Sequence, residues 1–219
     1  MAASLCAMRN SWARAWIAAV GLLIAAATVA RSRSSILLKV EEPVMTWLLD
    51  DADTTIWDRA SIFSATWLLI LGTILLAGIG FFLETRAGLA VVVTSIFGFV
   101  LTNILGSMVG RVAPKDGLEI GSFPSSTVAH AGVFWGLVVL IFWWVGAPKL
   151  VWQIILELAI VITLLVSIRL IVNGEIWPSD AVGSAIVIAV SLITAAIVLE
   201  ANPPRVLAKK KPNSDMVTA

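Results

Sequence analysis

Charge, cysteine and histidine are all scarce in this chain. Lys, Arg, Asp and Glu make up 13% of its 219 residues, where a soluble domain carries about a quarter. That deficit, with 59% hydrophobic residues and a mean hydropathy of +0.98, excludes an ordinary water-soluble globule and implies an integral membrane protein. A net charge of +1 gives no basis for a nucleic-acid partner. The single cysteine, Cys6, excludes a disulfide framework within the chain, and the single histidine, His130, excludes a Cys/His metal cluster. The chain lacks a G-x-x-x-x-G-K-[ST] loop, an H-E-x-x-H helix and an acidic calcium loop, so neither a metal nor a cofactor is expected. Cys6 has no lipidation motif around it, which favours an idle thiol over an acylated one.

What is present is a series of apolar runs. A membrane helix needs about 20 mostly apolar residues, and six candidates appear: 15–30, 62–83, 88–109, 125–145, 150–171 and 181–199. Open backbone cannot face lipid, so these runs should be helices, and none shows the strict alternation of a barrel strand. The expected fold is an all-α bundle of six transmembrane helices in a single domain. Residues 1–11 precede it, residues 12–200 form it, and 201–219 are a basic, disordered tail. The first run has two readings. Arg9 and Arg14 before it and Thr28-Val29-Ala30 after it fit a cleaved signal peptide. Trp12 and Trp16 as interface residues fit an anchor, and the anchor is preferred.

Orientation follows from the basic residues. With the N-terminus in the cytoplasm, that side holds Arg9, Arg14, Arg86, Lys149, Arg205 and Lys209–Lys211, while the opposite side collects most of the acids. An excess of Lys and Arg inside places both termini in the cytoplasm. Arg31, Arg33, Lys39, Arg59 and Lys115 count against this, so the margin is narrow. Compact size and short loops suggest a bacterial inner membrane.

This topology brings three polar segments to one membrane face: GSMVGRVAP (106–114), SFPSSTVAH (122–130) and SIRLIVNGEIWPSD (167–180). Arg111, Arg169 and Asp180 converge there. Pro124 followed by Ser125, Ser126 and Thr127 reads as a capped helix start. Its free N–H groups and dipole favour an anion, and two guanidinium groups would complete a phosphate cradle. Simple capping at a membrane surface, with both arginines snorkelling, accounts for the same residues.

The order of these segments resembles the type 2 phosphatidic acid phosphatase superfamily, which includes prenyl-diphosphate phosphatases and vanadium haloperoxidases. Its membrane members have six helices and three motifs, K-x6-RP, PSGH and SR-x5-H-x3-D. Phe123-Pro124-Ser125 is similar to the approach to the second motif, and Trp177-Pro178-Ser179-Asp180 to the end of the third. Gly110-Arg111-Val112-Ala113-Pro114 resembles a worn form of the first. The resemblance runs from about Glu42 to Leu199 and implies a lipid-phosphate site built from Arg111, Ser125, Ser126, Thr127 and Arg169.

The departures are chemical. The family's mechanism uses one histidine as nucleophile and a second as acid, and this chain has one histidine in all. The motif lysine falls on Gly106 or Ile104, depending on the alignment. The acid histidine is replaced by Thr127. The nucleophile falls on Ile176, counting back from Asp180, or on Glu175, counting forward from Arg169. The preferred expectation is therefore a catalytically degenerate member that binds a phosphate- or diphosphate-bearing membrane lipid at the outer leaflet. An alternative is an active phosphatase rebuilt on His130 and Glu175, with Asp180 orienting. A third is a structural subunit with a membrane-protein partner. A rhomboid-type protease is excluded, since its Gly-x-Ser motif and sixth-helix histidine are missing.

Outside these motifs, Glu157 is an acid about two turns into the fifth run, with Gln153 one turn away. Either it has a function, as intramembrane acids generally do, or it is a hydrogen-bonded neutral acid. Gly78, Gly80 and Gly98 read as helix-packing positions. The acidic stretch 41–59 reads as an amphipathic interfacial piece, and Lys209–Lys211 as an orientation signal.

Overall fold

The computed structural model describes residues 2–32, 34–51, 62, 65–115 and 122–200. Among the described residues seven helices follow one another: α1 (Ala2–Ser32), α2 (Ser34–Asp51), α3 (Thr66–Leu83), α4 (Thr85–Val109), α5 (Ser126–Trp144), α6 (Lys149–Val172) and α7 (Pro178–Glu200). All but α2 are long and apolar enough to cross a membrane, so the described residues form the expected bundle of six candidate spans. The limits move by a few residues, most at the first span, which runs Ser11–Arg31. The acidic stretch is helical as far as Asp51, with Pro43 inside the helix. Residues 52–61, Asp116, Glu119 and the tail 201–219 lie outside the described residues.

Helix ends follow local chemistry. At the end of α6, Gly174 takes a φ of 72°, the Gly174 N–H bonds Ile171 O, and the Glu175 N–H bonds Leu170 O. This Schellman closure satisfies the last carbonyls, and its left-handed residue favours glycine. The same pair of bonds closes α5, from Gly146 to Trp143 O and from Ala147 to Phe142 O. Glu84, in extended conformation, both ends α3 and begins α4. The two helices therefore form a tight hairpin.

Packing sorts the glycines. A Cβ on Gly80 would lie 2.8 Å from Gly88 N, so these two residues let the α3 and α4 backbones touch. One on Gly98 would lie 3.3 Å from Ser191 Oγ. Gly78 has nothing within 4 Å and is not a packing position. It lies two residues from Gly80, about 200° around the helix, so it faces away from α4. Close contacts also fall on Gly132 and Gly136 of α5. There Ile188 and Leu192 of α7 fill the space that a side chain would take.

The first span is part of the bundle. Trp16 donates its indole N–H to Thr194 Oγ1 at 2.9 Å, and Leu23 packs with Leu105, Ala129, Val187 and Val190. Trp16 thus ties α1 to α7, a more specific role than an interface anchor. The outer surface of the bundle is lined by exposed Leu, Ile, Val and Phe, as a lipid-facing surface requires.

Candidate functional site

The ends of α4 and α6 and the starts of α5 and α7 meet at one end of the bundle. Gly110, with a φ of 63°, terminates α4 and turns the chain so that Arg111 enters the interior. The Lys115 N–H bonds Gly174 O at 3.0 Å, and the Ser122 N–H bonds Arg111 O at 2.9 Å. These bonds lace the two loops together and gather the three polar segments as the topology predicts.

Arg111 is the centre of this region and is 5% exposed. Its guanidinium pairs with Asp180 Oδ1 at 3.0 Å, with Glu41 Oε2 and with Ser179 Oγ. It also lies 5.1 Å from the centre of the Trp177 ring, a cation–π distance. Trp177 is held in turn by its indole N–H, which donates to Val112 O at 2.8 Å.

Trp177-Pro178-Ser179-Asp180 is the start of α7. Pro178 takes the first helical position, where its missing N–H costs nothing. Asp180, two residues later, reaches back and accepts from the Trp177 N–H at 3.0 Å. That is the carboxylate half of a capping box. The other oxygen of Asp180 takes Arg111. Both oxygens are thereby satisfied, and the residue is fully buried.

Glu41 was not among the residues expected to form the site. It projects from α2, and its side chain is 10% exposed. One carboxylate oxygen binds Arg111 and the other accepts from the Ser179 N–H at 2.8 Å. A guanidinium and a backbone N–H at a helix start are the elements of an anion receptor, and here the anion is a carboxylate of the chain itself. The sequence placed Glu41 in an acidic stretch, but nothing local singled it out from Glu42.

The second motif lies alongside. Ser125 caps α5, accepting from the Val128 N–H at 3.4 Å. The Ser184 hydroxyl lies 3.0 Å from Ser125 O and 2.8 Å from Asp180 O, bridging the starts of α5 and α7. Ser126 is exposed and Thr127 half-buried.

The other expected residues form two separate groups. Arg169 and Glu175 make an ion pair of 3.5 Å near the surface, and Asn173 donates to Glu175 at 3.4 Å. His130 stacks on Phe99 with ring centres 5.4 Å apart, and its Nε2 has no hydrogen-bond partner. It lines a cavity of about 480 Å³ between α3, α4 and α5, together with Ser126, Thr127, Phe99 and Phe134. Among the described residues no hydrogen bond joins His130, Glu175 and Asp180. Ile176 is 5% exposed and packs in an apolar cluster with Leu69, Val128, Val166 and Leu170.

No family model matches the sequence, and no curated protein matches it either. The fold does match a solved structure, the first transmembrane PAP2-type phosphatidylglycerolphosphate phosphatase from Bacillus subtilis. The TM-score is 0.68 over 84% of this chain and 93% of that one, at 16% identity. The expected fold is therefore present: an all-α bundle of membrane-spanning helices like that of this membrane phosphatase.

Proposed function

We propose that this protein is a non-hydrolysing relative of the type 2 phosphatidic acid phosphatases that binds a phosphate- or diphosphate-bearing lipid head group. The observation that carries this reading is the Glu41 carboxylate, held between Arg111 and the Ser179 N–H. Carboxylate and phosphate oxygens are recognised by the same donors, so a head group that displaces Glu41 meets a preformed receptor. Thr127 and Ser126 lie at the wall of the cavity between α3, α4 and α5, which offers a place for an alkyl chain beside the start of α5. Arg169, paired with Glu175, adds a further cation at this end. The lipid-phosphate class follows from the fold neighbour, which is named for phosphatidylglycerolphosphate. By the charge count, this end of the bundle faces the outer leaflet of a bacterial inner membrane, with both termini cytoplasmic.

The absence of hydrolysis is argued from the same geometry. A nucleophile must reach phosphorus, and a general acid must stand within hydrogen-bond reach of the leaving oxygen. At the nucleophile's position, Ile176 contributes only packing. Glu175 is turned toward Arg169 at the surface. Asp180 holds an arginine and a helix N–H, where an orienting role would need an imidazole.

The test has two arms. Purified protein incubated with phosphatidic acid, undecaprenyl phosphate and undecaprenyl diphosphate should release no phosphate. Turnover that is lost in Glu175→Gln or His130→Ala would establish a rebuilt enzyme instead. Retention of the same lipids should rise in Glu41→Ala, by about tenfold if the competing carboxylate is worth about 1.4 kcal/mol. It should fall in Arg111→Ala plus Arg169→Ala. A second reading is favoured by the depth of Arg111: the guanidinium and its carboxylates serve only to lock α2, α4 and α7 together in a structural subunit. Retention unchanged in both the Glu41 and the double-arginine variants would select it.

A further inference from the structure

Glu157 has no role in the site. It lies on α6 about 12 Å from Lys149, at a rise of 1.5 Å per residue, and so within the apolar span. The residue is exposed, and no hydrogen bond or ion pair reaches it among the described residues. Ionisable groups at such depth almost always face a bundle interior or a partner. This one faces outward from its own bundle.

Its neighbours on that face form a pattern. Leu150, Ile154, Glu157, Val161, Leu164 and Ile168 are all exposed. Their spacings alternate four and three, the a/d repeat of a helix–helix seam. The seam lies opposite the face of α6 that its own bundle buries, where Ala159, Val166 and Leu170 sit. Half-buried Gln153 flanks Glu157 one turn away.

We propose that this seam of α6 is the interface of a two-fold dimer, with Glu157 facing its counterpart in a second copy of the chain. A two-fold axis along the membrane normal sets the two α6 helices parallel at equal depth, so each seam residue meets itself. Apolar positions then meet apolar ones. The Glu157 carboxyl oxygens accept hydrogen bonds and the Gln153 amide beside them donates, so two copies can supply each other's polar partners across the seam. A different partner would need a donor at matched depth, whereas a second copy supplies the match by symmetry. One polar position in an otherwise apolar seam also fixes register.

The test is cysteine cross-linking in native membranes, in a Cys6→Ser background. Ile154→Cys, Val161→Cys and Leu164→Cys should give disulfide-linked dimers under mild oxidation. Val151→Cys and Leu156→Cys, well to the side of the seam, should not. Glu157→Ala should weaken the dimer about three- to tenfold, the range of one interhelical hydrogen bond in a membrane. Glu157→Gln, which keeps an acceptor oxygen at the same place, should retain it. Unchanged intrinsic tryptophan emission and detergent elution would show each variant folded. Equal cross-linking at seam and flanking positions, none at any of them, or a seam cysteine linked to a different protein would overturn the proposal. So would a Glu157→Ala dimer as tight as wild type.

Discussion

Replacing Arg111 by methionine removes the charge that two buried carboxylates share. Asp180 is fully buried and the Glu41 side chain is 10% exposed, so solvent screens neither pair appreciably. Breaking one buried ion pair by removing a partner costs about 3–5 kcal/mol, because the remaining charge is left uncompensated. Arg111→Met strands two carboxylates, although Asp180 keeps the Trp177 N–H and Glu41 keeps the Ser179 N–H. Those bonds moderate the loss, and about 3–5 kcal/mol is the expected total. Reversible unfolding in mixed micelles, followed by tryptophan emission, measures it. Arg111→Met with Glu41→Gln and Asp180→Asn should recover most of the stability, since no buried charge then remains. The double-mutant coupling of Arg111 with Asp180 should fall within about 0.5–3 kcal/mol. A loss below about 1 kcal/mol for Arg111→Met, the range of an exposed pair, would refute the buried network.

Other expectations test the frame around the site. Gly80→Leu should separate α3 from α4 and destabilise the protein by about 1–3 kcal/mol, the usual cost of overpacking, while Gly78→Leu, with open space around it, should be nearly neutral in the same unfolding assay. Gly132→Val should also destabilise, but less than Gly80→Leu, because it meets the tip of Ile188 where Gly80 meets backbone. Trp16→Phe removes the bond to Thr194 and should cost about 1 kcal/mol, with greater protease sensitivity of α1 as the second readout.

The site's parts differ in how far they could be read from local sequence. Pro178 and Asp180 mark the start of α7 by their own chemistry, and Ser125 marks the start of α5 in the same way. Arg111 could be placed at this end by counting spans. That Asp180 would meet it followed only as a convergence of loops. Glu41 could not be found at all, because its partners lie 70 and 138 residues further along the chain. No periodicity or motif within α2 reports a contact of that range. His130 was legible as a residue one turn below Thr127. Its stacking on Phe99, at a cavity that Asp180 does not line, depends on how α4 leans on α5.

The six spans, their order and the helix caps were determined by the sequence itself, because lipid leaves the backbone only its own hydrogen bonds and local residues decide where a helix starts and stops. The same holds for the single histidine, one fewer than a two-histidine mechanism needs, which is read from composition alone. Only the tertiary structure decided which glycines touch a neighbouring helix, that Ile176 closes an apolar cluster, and that Arg111 pairs with Glu41. These depend on side chains brought together from distant helices. Their partners are selected by shape and charge across the bundle, which the pattern along any one helix does not encode.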